Sequence, residues 1–200
     1  MTPFDRLVHD LSERFGADPV VPPGLGPDAG IVLFPVDPDL DPDDVLAERE
    51  SVRRQGAFLF FYEPPTGEDE YVVGLADTPD PFAVIERLGV RGVPGPSTAD
   101  IVAFLRGITA TDPIDITTIA AHAVGGLFIQ PPRNLRALAR RVYEGCPLVY
   151  ENLKAILEEE PEAAEDLNLP EDLPWHDPIE VLTAALGQGP DVFFFWDEEG

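Results

Sequence analysis

Phe4, Leu7, Val8, Leu11 and Phe15 recur at helical spacing between Thr2 and Gly16, which predicts a capped amphipathic helix over Pro3–Phe15. Four prolines and three glycines then make residues 18–30 an irregular connection, followed by the short buried strand Ile31–Phe34. The aspartate-rich run from Asp37 to Asp44 reads as a turn ending in a helix N-terminus, where carboxylates suit the free N–H groups. The helix it opens passes through Val45, Leu46 and Val52 and stops near Gly56.

Ala57–Tyr62 is a continuous apolar strand, and Tyr71–Ala76 is its expected hairpin partner across Pro64-Pro65-Thr66-Gly67. Helices are expected from Asp80 to Leu88 and from a Ser97 or Thr98 cap through Ile108, with a loop at Gly89–Pro96 between them. Ile114–Ala120 and Leu127–Ile129 read as strands joined across Gly125-Gly126. Further helices are expected over Arg133–Glu144, from Pro147 to about Glu160, and over Pro178–Leu186. Val192–Trp196 is too apolar for a solvated tail and reads as a buried strand. These elements predict an α+β (α/β two-layer) fold, a mixed, largely antiparallel sheet flanked by helices. No internal repeat interrupts the pattern.

Composition agrees with one domain over residues 1–200: 44% of residues are hydrophobic and 26% charged. A chain of this length buries about 70% of its unfolded surface and needs no disulfide, and Cys146 stands alone. Charge changes the picture more. Thirteen basic against 38 acidic residues leave a net charge of −25, a field that repels nucleic acid and anionic membrane. The N-terminus lacks a basic, apolar leader pattern, and the least polar run, Ile119–Ile129, is about half the ~20 residues of a membrane span. A cytoplasmic protein is therefore expected, with no nucleic-acid or membrane partner. Lysine occurs once, at Lys154, and such an acid-rich, lysine-poor surface also suits a salty habitat.

From Tyr71 onward four motifs keep a particular order: Val73-Gly74-Leu75-Ala76, the Ser97–Leu105 helix start, Leu135 to Pro147 ending Tyr143-Glu144-Gly145-Cys146-Pro147, and Phe193-Phe194-Phe195-Trp196-Asp197. This order resembles a bacterial family catalogued as domain of unknown function 4253, over roughly residues 71–197. The resemblance implies a shared α/β fold and brings no established reaction. It makes residues 71–200 a family-like core with an acidic insertion at 158–175, and residues 1–70 an N-terminal extension that completes the sheet. Family members carry an aromatic and an aspartate where this chain has Ala121-His122-Ala123, so a family site there is not matched.

Chemistry-bearing patterns are sparse. Asp37, Asp39, Asp41, Asp43 and Glu48 fall at EF-hand spacing, but Pro42 stands where that loop needs glycine, so a solvated helix cap is expected and no metal. The glycines of 24–30 lack the flanking strand and helix, and the lysine, of a phosphate loop; no cofactor is expected. Ser12, Ser51 and Ser97 are outside any nucleophile-elbow pattern, and Cys146 follows a helix C-terminus that does not favour its thiolate. His9, His122 and His176 lie far apart without a zinc pattern, although His176-Asp177 could be exposed. Arg133, Arg136, Arg140 and Arg141 form a basic face on one helix, read first as pairing with the acids of Glu158–Asp166 and second as a docking site for an acidic partner or small anion.

Three functional readings follow. The first is a non-catalytic acidic interaction protein that binds a basic partner protein, as an inhibitor or immunity protein does. Its contact residues would be Asp39, Asp41, Asp43, Glu158, Glu159 and Glu160, with Arg136 and Arg140 as the basic counter-face. The second is a hydrolase-like enzyme with an acid/base site, for which Asp115, His122, Asp100 and Asp197 are the first residues to test. The third is a salt-adapted globular protein with no charge-based partner.

Overall fold

A computed structural model describes residues 1–37, 39–63, 72–92, 94–159, 169–170 and 173–197. They form two compact units, one of Met1–Val90 with Ile116–Ala121 and the other of Arg91–Asp115 with His122–Gly200.

In the first unit the strands are β1 (Ile31–Pro35), β2 (Phe58–Glu63), β3 (Val72–Ala76) and, from Ile116 on, β4 (Ile114–Ala120). Their order is β1-β3-β2-β4. β3 is antiparallel to both neighbours, with Gly74 opposite Leu33 on one side and Phe60 on the other. β4 joins parallel to β2, with Phe61 opposite Thr118, so the sheet is mixed and mostly antiparallel. The expected turn at Pro64–Gly67 lies outside the described residues.

Helix α1 (Pro3–Phe15) begins at a Thr2–Asp5 capping box and ends at Gly16, whose φ of 63° is left-handed. Helix α2 (Pro42–Arg54) starts on the Asp41 side chain. Leu7 and Leu11 of α1 and Val45 and Val52 of α2 share one core cluster with Phe34, Leu59, Val73 and Leu75 of the sheet. Strand side chains alternate between faces, so Phe58 and Phe60 lie on the opposite face from Leu59, stacked at 5.6 Å. Helix α3 (Pro81–Leu88) buries Val84 and Ile85.

The second unit pairs β5 (Ala123–Phe128) antiparallel with β6 (Asp191–Phe195) and carries α4 (Thr98–Thr109), α5 (Leu135–Gly145), α6 (Leu148–Glu159) and α7 (Pro178–Ala185). One expectation is corrected here. Gly125 and Gly126 are not a turn but lie inside β5, opposite Phe193 and Val192, and the chain bends instead at Ala121-His122. Ladder pairing with β6 outweighs the turn propensity of the two glycines. Phe104 of α4 meets Phe194 and Trp196 edge-on at 5.5 and 6.1 Å. The acidic insertion lies largely outside the described residues; near its end, the Tyr150 hydroxyl donates to the Trp175 carbonyl at 2.9 Å.

The architecture is thus α+β. Among the described residues no helix is long and apolar enough to cross a membrane.

Candidate functional site

The four acid/base candidates separate. Asp100 is the third residue of α4, where it accepts the Ser97 hydroxyl at 2.6 Å and the Ser97 N–H at 3.1 Å, and Ser97 caps the helix in return. These hydrogen bonds hold its carboxyl below the usual aspartate value, the hydroxyl more than the backbone N–H. Asp100 is a capping group. Asp115 is half-buried at the start of β4.

His122 and Asp197 do meet. The bend before β5 sets His122 beside the end of β6, where its carbonyl accepts the Trp196 N–H at 2.9 Å. Its Nε2 then stands 3.6 Å from Asp197 Oδ2, while Nδ1 lies 2.6 Å from the Arg91 carbonyl oxygen. A carbonyl can only accept, so Nδ1 carries hydrogen and Nε2 is the nitrogen left to exchange a proton. Sequence spacing could not bring Arg91, His122 and Asp197 together.

Cys146 is far from this chemistry in character. It is fully buried, its thiol donates to the Phe195 carbonyl at 2.8 Å, and burial pushes its pKa up to about 12. The structural reading of this cysteine fits that environment. His176 is exposed, and Asp177 beside it caps α7 through the N–H groups of Ile179 and Glu180 at 2.9 and 3.2 Å.

The acidic turn takes the helix-cap form expected of it. Asp37 accepts the Asp39 N–H, and Asp41 the Asp43 N–H, each at 2.9 Å. Asp39, Asp43 and Asp44 are exposed, and their carboxylates make no ion pair among the described residues. Glu158 is 3.8 Å from Lys154, Glu159 is exposed, and Glu160 lies outside the described residues.

Two arginines on the basic face of α5 pair with other acids, while residues 160–166 of the acidic run expected to meet this face lie outside the described residues. α7 packs on α5 and brings Glu180 to 2.6 Å from Arg136. Arg141 turns to the end of α4, holding the buried Asp112 at 2.5 Å and the Thr111 hydroxyl at 2.6 Å. Arg133 and Arg140 remain exposed, with no partner among the described residues. The Thr111-Asp112 pair went unrecognised in the sequence, its only signal a carboxylate directly after a helix end.

Around the loop before β6, Phe128, Pro131, Pro132, Leu135, Leu186 and Pro190 line a cavity of about 330 Å³. Only the flanking prolines and glycines announced it. Among the described residues no three His, Cys, Asp or Glu side chains are grouped to hold a metal ion. No family model, curated protein or solved structure matches the chain.

Proposed function

We propose that this chain is a non-catalytic, cytoplasmic interaction protein that neutralises its acidic surface against a basic partner protein, in the manner of an inhibitor or immunity protein. The observation that carries the reading is the acidic turn into α2. Asp37 and Asp41 fix its backbone, and Asp39, Asp43 and Asp44 project from it unpaired among the described residues. Ion pairing within the chain cannot absorb the charge: with one partner per cation, 38 − 13 = 25 acids stay uncompensated. Fields of this kind accelerate and select a basic partner. Kinship with the domain of unknown function 4253 family, proposed on motif order, adds no activity to this reading. Affinity capture from the source lysate at low and high salt tests it; a basic protein held only at low salt supports it, and none at either salt rejects it.

A second reading, an acid/base enzyme, is favoured by the approach of His122 to Asp197. Under it His122 Nε2 would exchange the proton and Asp197 would steady the charged ring. A survey of hydrolase substrates separates the two: turnover lost in His122→Gln and Asp197→Asn supports the enzyme. A third reading, salt adaptation, would be marked by a steep rise in stability up to molar potassium chloride with no partner captured.

A further inference from the structure

The second unit contains a concave apolar site that the acidic surface does not use. Its cavity, about 330 Å³, lies at the small end of the ~300–1,000 Å³ range of ligand pockets. The walls are already set. Phe128 donates its N–H to the Pro190 carbonyl at 2.7 Å, Ile129 donates to Pro113 at 2.9 Å, and Pro131, Pro132 and Pro190 fix their own φ angles. Phe128 and Leu186 are buried and held by the core behind them. Gly187 packs closely on the wall: a Cβ there would come within 3.2 Å of Leu135 Cδ1.

Charges of both signs stand near this cavity: Asp191 Oδ2 lies 3.8 Å from where a Cβ on the lining residue Gly189 would sit. Arg133 lies in the short stretch between the lining residues Pro132 and Leu135, exposed and without a partner among the described residues. Arg136 follows, already engaged by Glu180. α5 has no acid in its first turn, and its cap is the neutral Asn134. In a chain of net charge −25, the stretch between two residues that line an apolar cavity thus carries a cation with no partner among the described residues.

We propose that this cavity binds a small amphipathic carboxylate, an aryl or short-chain alkyl acid. Its apolar body would lie among Phe128, Leu135 and Leu186, and its carboxylate would meet Arg133. The walls supply hydrophobic surface to the body, and one guanidinium suits one carboxylate through paired N–H donors. The site is independent of the acidic turn in the first unit.

The test is a titration of the full chain with 3-phenylpropionate and, separately, with its neutral counterpart 3-phenylpropanol, followed by the methyl resonances of Leu135 and Leu186. Saturable shifts are expected with the acid, and binding about tenfold weaker with the alcohol. Arg133→Gln, at an exposed position, should lower the acid's affinity to that of the alcohol and leave the alcohol's unchanged. Gly187→Leu should fill the cavity and remove both. No saturable shift in the wild type, equal affinity for acid and alcohol, or an Arg133→Gln variant that binds the acid as well as the wild type would each overturn the proposal.

Discussion

Arg49 donates from Nε to the carbonyl oxygen of Leu59 at 3.0 Å, and from its other arm to the carbonyl of Ile116. The parallel pairing of β2 with β4 is recorded over Phe61, Tyr62 and Glu63, and its register carried back two residues would set Leu59 opposite Ile116. At that point the guanidinium, 6% exposed and 5.5 Å from the Phe58 ring centroid, ties the two strands. A buried arginine in the middle of an amphipathic helix thus works as part of the sheet.

Replacing Arg49 with Met should keep the bulk and strand both carbonyls without donors. The expected loss is about 3 kcal/mol, from two charge-assisted hydrogen bonds to buried acceptors. For a chain of this size that is a Tm lower by about 6–12 °C. Lysine should rescue little, because a single ammonium cannot reproduce the fork. Thermal denaturation of the three proteins checks both statements, and a Met variant as stable as wild type would show the carbonyls to be satisfied otherwise.

Gly74 sits in the middle of β3 against the ring of Phe60 on β2, and a Cβ there would come within 2.6 Å of three ring carbons. Phe60 is fully buried and cannot swing aside. Gly74→Ala should therefore destabilise by about 1–3 kcal/mol despite alanine's lower backbone entropy cost, since overpacking dominates. The paired substitution Gly74→Ala with Phe60→Leu should recover part of the loss in urea unfolding.

Burial raises the Cys146 thiol to about 12 in the folded chain. Between its unfolded value, ~8.5, and that folded value the unfolded chain releases a proton that the folded one keeps, so stability falls as pH rises through this window. Below the window the group costs nothing. Cys146→Ser should flatten the decline, measured by urea unfolding at stepped alkaline pH. In the native protein at pH 8 the thiol should resist an aromatic disulfide reagent and react only after denaturation.

Periodicity made most of the fold legible. Thr2 and Gly16 marked both ends of α1, the unbroken run Phe58–Tyr62 marked a strand buried on both faces, and Val192–Phe195 marked another. What failed was decided by partners remote in sequence. Gly125-Gly126 carries a turn signal that is overridden only by Phe193 and Val192 across the ladder. Arg49 looked like any polar helix position, and the carbonyl it serves on Ile116 is 67 residues away. The site was less legible still: His122 and Asp197 stand together with Asp115 and Asp100 as acid/base candidates, but nothing local tells which of them approach, and Arg136 meets Glu180 through helix packing rather than charge-run proximity.

Within the acidic turn, capping and docking roles separate by residue. Asp41→Ala should cost about 1 kcal/mol, the worth of an N-cap. Neutralising Asp39, Asp43 and Asp44 together to asparagine should leave thermal stability within about 0.5 kcal/mol, the helix-dipole attraction lost at Asp43 and Asp44 in the first turn of α2 being offset by relief of repulsion among clustered carboxylates. The same triple change removes three charges from the surface proposed to meet the partner. Circular dichroism melts of the two variants establish this contrast before any binding is measured.

The most direct measurement is a parallel capture from the source lysate on wild-type and triple-asparagine columns, washed at low and then high salt, with bound proteins identified by mass spectrometry. We expect a basic protein retained by the wild type at low salt, released at high salt, and depleted on the variant column. Identical proteins on both columns, or nothing above background at either salt, would contradict the proposed role of the acidic turn.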